Sequence, residues 1–319
     1  MATTILRVII KMCAKIAVGV ITYKRNRMLK NALMSIAALK TPPSATVEVI
    51  VVDNDENASA KEVVYGLESS FPFRLYYLIE EKRGIPFARN KIIEKAIKIK
   101  ATELAFIDDD EIVERNWLQA LYNYYKKNDC DAVAGPVEPI LPKDMAKWLK
   151  LSKYYQRRKE TTGTQVSWAG TGNILFSMDV FTRYGLRFDW RFASTGSTDT
   201  LLTRQLTERG GIILWLDEVL VREEFPRSKL CMRWMLGRAY RCRINNISFD
   251  LMFRGVPYTY FFSSLSLIKN FLYGLLSLPL ALLWHRYFSQ ALECFAITGA
   301  IVCGLLGKKY HEYDSIHGS

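Results

Sequence analysis

Leu104-Ala105-Phe106-Ile107-Asp108-Asp109-Asp110-Glu111 is a short apolar run that breaks abruptly into four consecutive acids. Such a run, bounded by a sharp polar break, reads as a buried strand that delivers its carboxyl end to a surface crevice. Neighbouring aspartates repel one another. A divalent cation, Mg²⁺ or Mn²⁺, relieves that repulsion, because hard cations take carboxylate oxygens and keep positions open for a ligand's phosphates. Alternation along an extended backbone is expected to turn Asp108 and Asp110 one way and Asp109 the other. A solvated turn, or a cap for the helix suggested by Trp117-Leu118-Gln119-Ala120-Leu121, would account for the same acids.

Working back from this strand, the chain repeats one unit of strand, polar loop and helix. Ile16-Ala17-Val18-Gly19-Val20-Ile21-Thr22-Tyr23 ends in Lys24-Arg25-Asn26-Arg27 and a helical pattern follows in Met28, Leu29, Ala32, Leu33 and Ile36. Val47 to Val52 ends in Asp53-Asn54-Asp55-Glu56, before a helical stretch around Lys61 to Leu67. Phe73 to Leu78 is a third strand, after which Arg83-Gly84-Ile85-Pro86-Phe87-Ala88-Arg89-Asn90 leads into a helix expected over Lys91 to Lys100. Alternating strands and helices predict an α/β fold with a largely parallel sheet, which binds ligands at the carboxyl ends of its strands. All four strands end in polar residues suited to that place. Asp53 is a candidate to accept hydrogen bonds from a base or ribose, or to cap the following helix. Arg83 and Arg89 are candidate donors to a diphosphate. The first strand is followed by neither a G-x-x-x-x-G-K-[ST] nor a G-x-G-x-x-G loop, so a bound nucleotide must be held by side chains and metal.

A formal charge of +12 in 319 residues and a pI near 9.3 favour anionic partners. Nucleic acid is disfavoured, since the sequence has no zinc-finger spacing and no basic helix flanked by heptads. Six scattered cysteines without a C-x-x-C pair point to free thiols in a reducing compartment. The three histidines all lie beyond residue 284 and leave little room for a histidine catalyst or zinc site. Residues 1–15 have no secretory-signal pattern, and Met12 is a candidate start because the organised sequence begins after it.

Further along, Asp131 to Val137 is a strand ending in a turn, and Ser167-Trp168-Ala169-Gly170-Thr171-Gly172-Asn173-Ile174-Leu175-Phe176 follows a polar connection. Glycines at 170 and 172 would let backbone approach a ligand closely. Trp168 offers a flat face to a sugar ring or an ordinary core contact, and with Gly172 and Asn173 it forms the candidate acceptor surface. Gly196-Ser197-Thr198-Asp199 leads into an amphipathic helix expected over Thr200 to Arg209, with Asp199 at its start. Asp199 there is a cap or a general base.

Val18 to Arg25, Val51-Val52-Asp53-Asn54-Asp55, Arg83 to Asn90, Phe106 to Glu111, Gly170 to Phe176 and Gly196 to Thr200, in that order, resemble the family 2 glycosyltransferases. The nearest in look are bacterial succinoglycan-type glucosyltransferases, which extend a lipid-linked oligosaccharide. The resemblance spans residues 16–245 and implies the GT-A fold, with a nucleotide-binding half over 16–111 and an acceptor-binding half over 112–245. It implies that Thr22, Tyr23 and Asp53 hold the uridine of a UDP-sugar, that Asp108 and Asp110 place Mg²⁺ or Mn²⁺ on its diphosphate, and that Asp199 is the base of an inverting transfer. Thr198 stands where relatives often carry Glu. Leu230-Cys231-Met232-Arg233-Trp234 lacks the Gln of the processive Q-x-x-R-W motif, which favours addition of a single sugar. Two other readings compete: a sugar-phosphate nucleotidyltransferase, which would normally carry a Gly-rich loop after the first strand, and a non-catalytic glycan-binding or scaffold subunit.

From Tyr258 the chain turns apolar. Phe271 to Trp284 is free of charge, and Ser289 to Gly307 carries only Glu293. A helical hairpin over 255–307, turning at His285-Arg286-Tyr287, is expected to span or dip into the bilayer, ahead of a polar tail over 308–319. Arg254 before it and Lys308-Lys309 after it put both flanks on the cytoplasmic face of the plasma membrane. Arg227, Lys229, Arg233, Arg238, Arg241 and Arg243, interleaved with Trp234, Leu236 and Tyr240, read as a basic amphipathic helix lying on anionic lipid headgroups, or as a helix face packed under the catalytic domain.

Overall fold

The computed structural model describes residues 14–308. Met12 and most of the expected amino-terminal extension, like the tail from residue 309, lie outside the described residues.

Four turns of strand and helix open the fold: β1 (Ala14–Thr22), α1 (Asn26–Ala37), β2 (Ala45–Asp53), α2 (Lys61–Glu68), β3 (Arg74–Ile79), α3 (Ile85–Lys98) and β4 (Glu103–Asp108). The second half adds β5 (Glu111–Val113), α4 (Trp117–Lys127), β6 (Ala132–Ala134), β7 (Val137–Ile140), α5 (Lys147–Lys150), β8 (Ile174–Ser177), α6 (Asp179–Thr182), α7 (Thr198–Glu208), β9 (Ile213–Trp215) and β10 (Val221–Glu224). The chain closes with α8 (Met232–Ala281) and α9 (His285–Leu305).

The main sheet has the order β3-β2-β1-β4-β8-β6-β9, with only β8 antiparallel to its neighbours. Its central strands are apolar without a break because both faces are covered. Ile16, Val18, Val20, Val49, Val51, Ala105 and Ile107 enter the core on one face. Ala17, Ile50, Val52, Leu104 and Phe106 enter the core on the other. β1, β2 and β4 run parallel and in register, so Thr22, Asp53 and Asp108 emerge at one edge. A second sheet, β5-β10-β7, faces that edge and takes Glu111 into its register opposite Glu223.

Three boundaries differ from expectation. Helix α3 begins at Ile85, not Lys91, because Pro86 occupies its first turn, where the missing N–H costs nothing. The run from Asp131 to Val137 is divided at Gly135-Pro136, and its ends join different sheets. The turn of the apolar hairpin falls at residues 282–284, and His285 already opens α9.

Helix α8 is interrupted at Gly255, whose backbone (φ 79, ψ 175) is suited to a residue without Cβ. Arg243 Nη2 donates to Ser263 Oγ at 3.5 Å, whereas twenty residues of straight helix would part them by about 30 Å. The chain therefore doubles back. The first segment, residues 232–254, buries Trp234, Met235, Arg241 and Asn245. It packs under the catalytic domain, the second of the two placements read from the sequence. The second segment and α9 are each long and apolar enough to cross a membrane. The five cysteines among the described residues are unbridged.

Asn173, expected at an acceptor surface, is an internal stitch. Its Oδ1 accepts from Trp117 Nε1 at 2.8 Å, and its Nδ2 donates to the carbonyls of Pro136 (2.9 Å) and Val219 (2.6 Å). With 1% of its surface exposed, its amide is committed to these internal partners. Asn173→Ala should strand these buried groups and cost about 2–4 kcal/mol, read as a lower urea midpoint with unchanged slope in Trp fluorescence.

Candidate active site

The site grows from the turn that follows β4. The strand stops at Asp108, so Asp109 and Asp110 occupy a turn before β5. The expected alternation fails for that reason, and one side chain, Arg25, reaches both acids. Its Nη1 lies 3.0 Å from Asp109 Oδ1 and 3.1 Å from Asp110 Oδ2. Asp108 Oδ1 accepts from Arg89 Nη2 at 2.9 Å, and Lys229 Nζ stands 3.6 Å from Asp110 Oδ2. Thr22 donates its hydroxyl to Asp109 Oδ2 at 2.8 Å. Its side chain therefore helps hold the acid turn in this conformation.

The acids outweigh these cations. Burial, then the neighbouring Asp110, push the Asp109 carboxyl up to about 7 against the opposing pull of Arg25 and Thr22. Burial and Asp108 raise Glu111 well above its ordinary value. Burial and Asp110 push Glu223 up to about 7, with Lys229 and Arg238 acting the other way. For Arg25, burial works against the charge, but Asp109 and Asp110 more than offset it and raise its pKa.

This chemistry fits a hard divalent cation. Asp108 and Asp110 would supply oxygen donors, and a further positive charge would relieve the crowding that the raised carboxyls record. Among the described residues no three acidic, histidine or cysteine side chains are arranged to hold an ion. The rest of its shell must then come from ligand phosphates and water, the usual arrangement for Mg²⁺.

Arg83, at the end of the β3–α3 connection, lies with its guanidinium 5.0 Å from the Tyr23 ring centre. The loop carrying Arg83 is pinned by Asn54, whose Nδ2 donates to the carbonyls of Glu80 and Lys82 and whose Oδ1 accepts from Gly84 N at 2.7 Å. Asp53 is fully buried. It accepts from Ala60 N at 2.7 Å, Tyr77 Oη at 2.8 Å and Asp55 N at 3.1 Å, so it fixes the β2–α2 connection without capping α2 itself.

The Gly170-Thr171-Gly172 loop links the acid turn to Asp199. A Cβ on Gly172 would collide with the Glu111 carboxylate, and a Cβ on Gly170 would lie 3.5 Å from Asp199 Oδ2. Gly172 thus admits a close approach by a protein side chain, not by a ligand. Asp199, in the first turn of α7, accepts from Thr200 N at 2.8 Å and is half-buried. Trp168 is 41% exposed, not a core residue, and Arg158 sits 4.2 Å over its ring. It remains available as a platform on one face.

Sequence reasoning missed Arg25, Asn54, Glu223, Lys229 and Asn245. Arg25 had a signal, being a cation at the end of a strand that lies beside four acids. Asn245 had none. From the first segment of α8 it donates to the carbonyls of Thr195 (2.9 Å) and Gly196 (3.3 Å) and to Ser197 Oγ (3.1 Å), holding the loop that precedes Asp199. Ion pairs from Arg204 to Asp250 and from Arg254 to Glu208 clasp α7 to the same helix.

The sequence model of glycosyl transferase family 2 matches residues 17–185. Over 226 residues the chain is 30% identical to the succinoglycan biosynthesis protein ExoM of Rhizobium meliloti (strain 1021), a match covering 71% of this chain and 72% of that one. Among solved structures, the mannosyltransferase PcManGT of Pyrobaculum calidifontis, in complex with GDP-Man and Mn²⁺, is similar with a TM-score of 0.61 at 18% identity, over 92% of this chain and 88% of that one. S. aureus TarS 1–349 in complex with UDP-GlcNAc is similar with a TM-score of 0.56 at 14% identity, over 95% of each chain. These structural likenesses bear on the fold.

The raised carboxyls set a pH dependence. A carboxyl whose folded pKa exceeds its unfolded value supports folding at low pH and loses that support as pH rises through the folded value. Glu223, raised from 4.5 to about 7, should therefore cost stability progressively between those values. In metal-free buffer, Glu223→Gln should flatten the fall in urea stability from pH 5 to pH 8 and gain roughly 1–2 kcal/mol at the upper end.

Proposed function

The chain belongs to the family 2 glycosyltransferases and has the GT-A fold, and from that premise we propose that it adds a single hexose from a UDP-sugar, foremost UDP-glucose, to a lipid-linked glycan in bacterial surface or exopolysaccharide biosynthesis. The observation that carries this reading is the Gly170–Gly172 loop, which touches the acid turn at one end and Asp199 at the other. This shared loop supports a reading in which diphosphate chemistry and proton removal work side by side. The role of the relative in succinoglycan biosynthesis and the UDP-GlcNAc complex of TarS support the setting and the donor class. The GDP-Man and Mn²⁺ complex of PcManGT supports a divalent ion.

In this proposal Tyr23 and Arg83 receive the nucleoside, and Arg83 and Arg89 meet the diphosphate with charge-assisted hydrogen bonds. Asp108 and Asp110 would hold Mg²⁺ or Mn²⁺, and the bound ion would neutralise charge on the departing UDP. Asp199 takes the proton of the acceptor hydroxyl. The hydroxyl oxygen bonds to the anomeric carbon as the bond from that carbon to the diphosphate breaks on the opposite face, so the configuration inverts. Trp168 stacks on a sugar ring of the acceptor. The β1–α1 connection, Tyr23-Lys24-Arg25, has no Gly-rich phosphate loop, which disfavours nucleotidyl transfer. The exposed apolar hairpin supports a place on the cytoplasmic face of the plasma membrane, where a net charge of +12 favours anionic lipid.

Detergent-solubilised protein should release UDP from UDP-glucose with Mn²⁺ and lose that activity in EDTA. Asp199→Asn should retain donor binding while lowering turnover about 10²–10⁴-fold, and Asp110→Ala should weaken donor binding as well. No UDP from any UDP-sugar, with membrane lipid extract added as acceptor, overturns the proposal.

A further inference from the structure

The apolar hairpin wears its side chains inside out. Most of the residues it buries are small or polar: Thr259, Ser263, Gly274 and Ser277 on the second segment of α8, and Ser289, Ala291, Cys294 and Ala300 on α9, with Glu293 and Ile301 beside them. Most of the residues it exposes are large and apolar; Lys269 and Arg286 are the charged exceptions, with stems long enough to reach a headgroup layer. Phe261, Leu265, Ile268, Leu272 and Leu276, each about half or more exposed, recur every three or four positions and form one stripe along the helix. Leu282 and Leu283 extend it across the turn, at 89% and 72% exposure. A continuous stripe of this kind is unfavourable in water and suited to hydrocarbon, where close helix contact uses small residues and the large ones face lipid.

The hairpin nevertheless does not stand away from the domain. Near its start α9 meets α5, where the Phe288 and Trp148 rings pack edge to face at 5.7 Å. Near its end it meets the first segment of α8, where a Cβ on Gly304 would lie 2.8 Å from Ile247. Those two contacts are about 24 Å apart along a helix about 31 Å long. A helix threading the bilayer in this packing would set α5 at one interface and the first segment of α8 at the other, and would draw the catalytic domain that joins them into the hydrocarbon, where irregular backbone and polar groups are unfavourable.

We propose that the hairpin is a one-leaflet anchor. It lies in the plane of the membrane with the Phe261-to-Leu276 stripe in the acyl region of a single phospholipid leaflet, and its two ends stay at the same interface. The inference rests on the reading of the chain as a membrane-associated transferase and specifies how the association is made. Phospholipid fits this stripe better than a second copy of the chain, because each copy carries a net charge of +12, which repels another copy and attracts anionic headgroups.

The test uses full-length protein and preformed vesicles of phosphatidylethanolamine and phosphatidylglycerol. A nitroxide amino acid replaces Leu265, Leu272 or Leu283, one per chain, and its depth is read by paramagnetic resonance from collisions with oxygen and with a water-soluble nickel complex. UDP release by each labelled chain verifies its fold. All three labels should sit at one shallow depth, within about 5–10 Å of the headgroup boundary. A label at 272 near the bilayer centre with one at 283 emerging at the far headgroups would overturn the anchor in favour of a spanning pair. Strong label-to-label broadening would overturn it in favour of packing between copies. Labels that remain in water, while UDP release persists, would overturn the anchor and the membrane location together and leave the transferase reading standing.

Discussion

Crowding of carboxylates at one strand end is the constraint on which this structure turns. Asp108, Asp109, Asp110 and Glu111 follow one another, and Glu223 pairs in register with Glu111 from the next strand. Burying them together is unfavourable, as the raised carboxyls of Asp109, Glu111 and Glu223 record. The fold answers from three separate elements. Arg25 comes from the end of β1, Arg89 from α3 and Lys229 from the connection after β10. A parallel sheet is what brings these distant residues to one edge.

The second half of the chain supports this edge and adds the group proposed to handle the acceptor. Asn173 ties the β6–β7 turn to α4 and to the connection before β10. Gly170 and Gly172 let the intervening loop lie against Asp199 and Glu111 at once. Helix α7 is held from outside by Asn245, Asp250 and Arg254 of α8. The family match ends at residue 185, so the start of α7 and the helix that fixes it lie beyond it.

Much of the fold was legible because buried parallel strands announce themselves: β1, β2 and β4 are apolar on both faces and end in polar residues. The acid turn was legible for the same reason. What sequence could not give was which partner each polar group finds. Asp53 and Asn173 look like ligand-binding candidates in the sequence, which does not show that backbone and Tyr77 or Trp117 already bond them inside the fold. The orientation of Asp109 was misjudged because strand periodicity was carried one residue past the end of the strand. Composition left two placements open for the basic helix, because it does not reveal that Gly255 folds the chain back on itself. Asn245 lies far in sequence from the loop it holds, and no local pattern marks such a residue.

Manganese binding followed by paramagnetic resonance, with and without UDP, tests the central claim most directly: that the acid turn seats a cation whose shell a nucleotide diphosphate must complete. Two carboxylates and no third ligand group among the described residues predict weak binding of Mn²⁺ alone, at least tenfold tightening by UDP, and loss of that tightening in Asp108→Asn. Equal Mn²⁺ affinity with and without UDP, or UDP binding unchanged by EDTA, would contradict the account.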